Sequence, residues 1–402
     1  MPIGLYISVP FCRTKCTFCN FASDVFSRAV FERYIDRVCE DIHSTPETAS
    51  RMSSLVENEI NSIYLGGGTP TVLDSQQLER LFVTAKQNFR LLPDAEITVE
   101  CAPSTLAPEL VETLVKCGVN RVSLGVQSFV DQEAAAVGRL HKKATVLDDV
   151  GRLRRAGIHD INVDLIAGLP HQNANSWRDS VQTAIDLGVA HVSVYMLEID
   201  DNSRLGRELI AGGTRYHAHL VPDEELTADL YETACEQLNA AGIAQYEISN
   251  FARPGAQSRH NLKYWTRQPY LGFGVDAHSM LRSANDRYEA VRFSTPDSLE
   301  QYMANAPLHR NEIDSQGALE ETFFLGLRLT EGVDLQAVRQ QFGAVVVDTL
   351  SQKIVELEAN GLLERRGNRI GLTSRGRLLS NEVFEIFLCG AGTPAREVFS
   401  SS

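Results

Sequence analysis

The feature that most constrains this chain is a repeated unit: a short β-branched strand, a polar turn, then an amphipathic helix. Strand-like runs occur at residues 4–9, 62–65, 97–99, 121–126, 161–166 and 191–197. Helical stripes lie between them, such as Leu78, Leu81, Phe82 and Ala85, and then Leu110, Leu114 and Val115. The strands read as apolar almost throughout and alternate with helices, which predicts a parallel sheet buried on both faces. Six such units predict an α/β fold of the partial or complete TIM-type (β/α) barrel kind. An open, doubly wound α/β sheet is the alternative.

The pattern changes after Leu197. Residues 200–222 are polar and Gly-rich and read as a long excursion; residues 224–241 read as a helix stopped by Gly242. Residues 245–274 mix aromatics, Pro254 and Gly255 with polar groups, more like a functional loop region than a repeat. A boundary near 308–317 divides the chain into a domain at 1–307, which includes the region around 245–280, and a small helical domain at 317–390. In the latter, Val347, Leu350, Ile354 and Leu357 form a stripe ending at Gly361, and residues 362–373 read as a hairpin turning at Gly367-Asn368. That is a winged-helix outline. Acidic side chains outnumber basic ones there, so packing or a lid is the favoured role and no nucleic-acid partner is expected.

Composition narrows the function classes. With 402 residues, 43% of them hydrophobic, the chain can bury a large core without staples. The formal charge of −14 makes it a poor general polyanion binder. The opening Met1–Pro10 run lacks the basic start and long apolar stretch of a secretory signal, and no run approaches the roughly 18 apolar residues of a membrane span. A cytoplasmic protein is expected, with any membrane contact peripheral.

Cysteines carry the strongest chemical signal. Three crowd into eight residues, Cys12-Arg-Thr-Lys-Cys16-Thr-Phe-Cys19, whereas Cys39, Cys101, Cys117, Cys235 and Cys389 are scattered and read as buried apolar thiols. Three thiolates on one loop suit three irons of a 4Fe-4S cluster, leaving the fourth iron an open position. A closed zinc site takes four ligands, usually in two pairs, and a second pair is missing. Other polar groups stand where barrel active sites are built, at strand C-terminal ends. Residues 63–65 run into Gly66-Gly67-Gly68-Thr69-Pro70, the next strands end in Glu100 and Gln127, Arg139 follows, and the fifth strand reaches Asp164. Glycines admit a ligand close to the backbone. Carboxylates and a cation together suit a zwitterionic, ribose-bearing molecule.

The Cys-x3-Cys-x2-Cys spacing resembles the radical S-adenosylmethionine (SAM) superfamily, and the strand-end residues resemble its HemN/HemW group over nearly the whole chain, C-terminal domain included. The resemblance implies a 4Fe-4S cluster on Cys12, Cys16 and Cys19 whose open iron chelates SAM. It implies SAM contacts from Tyr6, Gly67, Gly68, Thr69, Glu100, Gln127, Arg139 and Asp164, with Phe18 against the adenine or shielding the cluster. Relatives commonly carry Tyr where this chain has Ala167, which bears on local packing.

Two features choose within the group. The decarboxylating members resemble Cys-x3-Cys-x2-Cys-x-Cys after a long N-terminal extension; Phe21 stands in the fourth place here, and Cys12 lies near the start. His260-Asn261-Leu262-Lys263-Tyr264-Trp265 resembles the H-N-x-x-Y-W signature of the group's heme chaperones. His is a common axial ligand of heme iron, aromatics pack on the macrocycle, and Arg259 and Lys263 suit its propionates. His278 is a second candidate ligand. The implied function is a heme chaperone that carries a cluster and SAM and passes heme to an acceptor protein, a membrane-associated respiratory protein being one candidate, with an electron donor for the cluster. SAM and the cluster would gate transfer or reduce the iron. The alternative is the enzyme, an oxygen-independent coproporphyrinogen III dehydrogenase that decarboxylates its substrate oxidatively. A radical enzyme acting on nucleic acid is a weaker third. No catalytic residue is assigned.

Overall fold

The computed structural model describes residues 1–388; Cys389 and the end of the 317–390 segment lie outside the described residues. Six strands form the centre of one large sheet: β1 (Ile3–Val9), β2 (Glu59–Gly67), β3 (Arg90–Cys101), β4 (Arg121–Gln127), β5 (Asp160–Ala167) and β6 (His191–Met196). They lie side by side in chain order and all run parallel. A short strand β7 (Asn250–Ala252) pairs antiparallel with β6, and β8 (Tyr270–Phe273) pairs parallel with the free side of β1. The strand path has two open ends, so the barrel is the partial form.

The strands are not apolar on both faces. Ile3, Leu5, Ile7 and Val9 alternate with Gly4, Tyr6 and Ser8; Val122, Leu124 and Val126 alternate with Arg121, Ser123 and Gly125; Val192 and Val194 alternate with His191, Ser193 and Tyr195. Side chains in a strand point to opposite faces at every second residue. The apolar set joins one large core with the flanking helices. The polar set faces the other way and lines a small cavity of about 50 Å³, bounded by Tyr64, Glu100, Ser123, Asn162, Asp164 and His191 among others. The concave face of this sheet is therefore polar, which corrects the expectation of doubly apolar strands.

Helices α1 (Arg28–His43), α2 (Ser75–Asn88), α3 (Pro108–Lys116), α4 (Lys143–Arg155), α5 (Ala174–Asp186) and α6 (Glu224–Ala240) supply residues to that apolar core. Asp74 and Gln77 form a capping box at the start of α2, satisfying backbone donors that the first turn leaves unpaired. Trp177 of α5 is fully buried and donates its indole N–H to Leu230 O of α6 at 2.6 Å. In α3 the buried stripe is Leu110, Val111 and Leu114, while Val115 is 42% exposed. At 3.6 residues per turn, position 111 faces the core beside 114 and 115 turns away.

The excursion at 200–222 contains a helix, Arg204–Ile210, and a 3-10 turn, Arg215–Leu220. The expected loop region at 245–274 contains α7 (Arg259–Trp265) as well as strands β7 and β8. The C-terminal segment packs α8 (Ser315–Gly326), α9 (Leu335–Phe342) and α10 (Ala344–Ala359) with a hairpin, β9 (Leu363–Arg366) and β10 (Arg369–Leu372). Its core joins Phe323, Val338, Leu350, Ile354, Ile370 and Phe384, and it also takes in Ile248 and Trp265 from earlier in the chain. Among the described residues no helix is long and apolar enough to cross a membrane.

The α3 register is testable by unfolding in denaturant. Val111→Ala should destabilise by about 1–3 kcal/mol, because a buried side chain is lost. Val115→Ala should stay within about 0.5 kcal/mol of the parent.

Candidate functional site

The cysteine loop leaves the C-terminal end of β1 and is pinned at both ends. Cys12 N–H donates to Asp24 O and Asp24 N–H donates to Pro10 O, both at 3.0 Å. Gly68 N–H donates to Val9 O at 3.0 Å and Thr69 N–H to Phe11 O at 2.8 Å, which seats the glycine turn on the loop. Gly67 has φ +96, a conformation that suits glycine. A Cβ on Gly68 would lie 2.7 Å from Val9 O and 2.9 Å from Phe11 O. The close approach made by Gly68 is thus to the chain's own cysteine loop. Thr69 hydroxyl donates to Cys12 Sγ at 3.8 Å, and Cys19 Sγ lies 3.9 Å from Ser23 Oγ.

Cys16 is buried, and Cys12 and Cys19 are half-buried. Burial pushes the Cys12 and Cys16 thiols up, and Arg139 opposes this at Cys16. Among the described residues no three Cys, His, Asp or Glu side chains converge on a single ion. The donor set of three thiols on one loop fits a cubane, whose irons are ligated separately, rather than a mononuclear metal. Phe18 packs against the cluster of Val137, Ile166 and Leu169, at the edge of the loop.

The polar strand ends converge beside this loop. Tyr64 hydroxyl donates to Glu100 Oε1 at 2.8 Å and Gly67 N–H donates to Glu100 Oε2 at 3.2 Å. Asp164 accepts from Asn162 Nδ2 at 2.7 Å and from Ser123 hydroxyl at 3.2 Å. Gln127 ends β4 at φ +69, next to a register shift in the β4–β5 pairing. Such irregularities re-aim side chains at strand ends. Arg139 is close enough to lower the pKa of Cys16, Glu100 and Asp164, and its Nε is buried without a hydrogen-bond partner. Burial, with Asp164 adding to it, holds the Glu100 carboxyl up at about 7; burial also raises Asp164. A buried guanidinium nitrogen without a partner beside two strained carboxyls suits a ligand that brings its own carboxylate and amine. Tyr6 faces the same interior, stacked on Tyr64 at 6.1 Å between centroids.

His260 lies elsewhere. Helix α7 meets Gly4, Ser62 and Glu96, which neighbour one another across β1, β2 and β3, toward the strand starts. The cysteine loop follows the strand ends, and the two regions meet at Tyr64, whose ring stacks on His260 and whose hydroxyl donates to Glu100. His260 is 1% exposed. Its Nδ1 shares a hydrogen bond with Ser62 Oγ at 2.9 Å and its Nε2 another with Tyr264 Oη at 2.8 Å. Burial, helped by Lys263, pushes the imidazole down to about 3, so it is neutral. Arg259 pairs with Asp94, and Lys263 Nζ donates to Pro2 O at 2.9 Å. His278 is half-exposed on a separate strand, 3.7 Å from Asp276. Phe21 is exposed and Ala167 fully buried.

Several interior residues were not singled out from the sequence: Ser62, Tyr64, Glu96, Asn162 and His191. Asn162 and His191 hydrogen-bond at 2.7 Å, and His191 meets Tyr246 Oη at 2.9 Å. Their signal was the period-two polar positions within strands read as apolar.

Comparisons with known proteins bear on the family and the fold. Residues 6–184 match the radical SAM superfamily domain and residues 313–379 match the HemN C-terminal domain. The chain is 33% identical over 391 residues to the heme chaperone HemW of Lactococcus lactis subsp. lactis, covering 96% of this chain and 97% of the relative. It is 33% identical over 387 residues to HemW of Bacillus subtilis, covering 95% and 98%. HemW of Escherichia coli is 29% identical, covering 96% and 98%. The fold is similar to that of coproporphyrinogen III oxidase (HemN) from Escherichia coli, with a TM-score of 0.80 at 24% identity, covering 96% of this chain and 90% of that one.

Two outcomes follow from the site's geometry. Gly68→Val should lower iron and sulfide content after anaerobic reconstitution, because it displaces the cysteine loop, whereas Asp164→Ala should keep both. In SAM-free protein, Glu100 binds its proton up to about pH 7 when folded but only to about 4.5 when unfolded. Its contribution to stability is therefore complete below about pH 4.5 and is lost as pH rises through 7. Glu100→Gln should melt higher than the parent at pH 8 and no higher at pH 5.

Proposed function

The chain belongs to the HemW family of radical SAM proteins, and from this we propose that it is a heme chaperone, binding heme and passing it to an acceptor protein. The observation that carries the reading is similarity to HemW proteins along nearly the full length, barrel and C-terminal segment together. Phe21, at the place of the decarboxylase's extra Cys, agrees with it. In this reading Cys12, Cys16 and Cys19 hold a 4Fe-4S cluster with SAM at its open iron. Bound there, the cluster supplies an electron to SAM or to the heme iron. Arg139 takes the carboxylate of SAM, Glu100 and Asp164 its hydroxyls and amine, and Gly67, Gly68 and Thr69 line its approach, with Tyr6, Phe18 and Gln127 around it. His260 is the proposed iron ligand. The proposed acceptor is a membrane-associated respiratory protein reached from the cytoplasm, and an electron donor feeds the cluster.

The second reading, coproporphyrinogen III dehydrogenase, is favoured by the fold shared with HemN. One experiment separates the two. Anaerobically reconstituted protein is titrated with heme by absorbance, and the same sample is assayed for coproporphyrinogen III conversion. The expected result is heme binding without conversion, with iron content lost in Cys12→Ala, Cys16→Ala and Cys19→Ala but kept in Cys101→Ala. Conversion that requires SAM and Cys16 would make the dehydrogenase reading correct.

A further inference from the structure

The helix that carries the heme motif has two structural duties. It closes the floor of the barrel, and it holds the C-terminal segment. At the floor, the Glu96 carboxylate accepts from Ser258 hydroxyl at 3.4 Å, Arg259 N–H at 2.9 Å and His260 N–H at 3.0 Å. The His260 ring lies against Tyr64 at 5.3 Å between centroids, with both nitrogens engaged. Its seat depends on Gly4: a Cβ there would meet Lys263 Cδ and Ser62 Oγ at 2.8 Å and His260 Nδ1 at 3.0 Å. At the other end of α7, Trp265 is buried in the C-terminal core and Arg328 lies 4.3 Å above its ring. The backbone beside it is tied as well, since Ile248 N–H donates to Arg328 O at 3.1 Å.

An imidazole so placed has neither a free nitrogen nor room for a macrocycle. We infer that α7 is a latch on the heme site: heme iron reaches His260 only when α7 leaves the barrel floor, and the grip of the C-terminal segment on Trp265 sets how often it does. The inference rests on the heme-chaperone reading. Its logic is a population shift, in which the apparent affinity falls by the fraction of molecules with the latch open. Re-closing sets Ser62 or Tyr264 against iron for whichever ring nitrogen the iron holds. The contact that restrains capture thus also favours release, which a carrier needs.

Two variants weaken the latch from opposite sides. Gly4→Ala crowds its seat, and Arg328→Ala removes the cation over Trp265; neither replaces His260. Amide exchange across residues 259–265 should quicken in both, and heme should associate faster, on the order of three- to ten-fold for a lost cation–π contact. His260→Ala should lose the heme spectrum. Faster exchange with an unchanged heme rate would overturn the latch, and so would unchanged exchange in both variants. A heme spectrum retained in His260→Ala would overturn it too, while leaving the chaperone reading standing. Absence of heme binding in the parent protein would overturn the reading itself.

Discussion

A parallel sheet with a polar concave face has to satisfy its own interior. Each inward Ser, Asn, His, Tyr and carboxylate is removed from bulk water, and a buried polar group without a partner costs on the order of 1–3 kcal/mol. The strands meet this by bonding across their register: Asn162 links Ser123, Asp164, Ser193 and His191, and Arg121 meets Asp160 and the Ala256 carbonyl. What remains is a small polar cavity, with room for a few waters. The apolar face, by contrast, needs only helices of the right period, and it has them.

That division of labour places the chemistry. At the strand ends the interior is closed by the cysteine loop and the glycine turn, so carboxyls and a guanidinium gather beside three thiols. Asp164 sits close enough to raise the cost of ionising Glu100, burial raises the cost at both carboxyls, and Arg139 relieves it only in part. Such a site is poised for a charged ligand, because binding one discharges a cost the empty fold already bears. At the strand starts the interior is closed by α7 instead, with Glu96 as its anchor.

Some of this was legible in the sequence. Asp164 was read as a polar break in an apolar strand and lies in the middle of β5. The cysteine loop, Glu100 and Gln127 could be read because each stands at or beside a strand end, and strand ends follow from local pattern. The C-terminal hairpin at Gly367-Asn368 could be read for the same reason. Val115 was misread for Val111 because a short helix offers few apolar positions from which to phase its face. The expectation that Gly68 spares room for a ligand missed its nearest neighbours, the Val9 and Phe11 backbones some sixty residues away.

The sequence by itself determined the repeated strand–helix units and the three thiols on one loop. These depend on chain-local periodicity and on the short loop after β1. Only the tertiary structure decided which face of the sheet is concave, and with it which alternating set lines the interior. It also decided the setting of His260. The motif's residues are contiguous, yet the ring's environment comes from Ser62 and Tyr64, the helix's anchor from Glu96, and the hold on Trp265 from Arg328. Contacts over such sequence separations arise only when the sheet curls and the C-terminal segment docks, because no local spacing specifies which distant groups a buried side chain will meet.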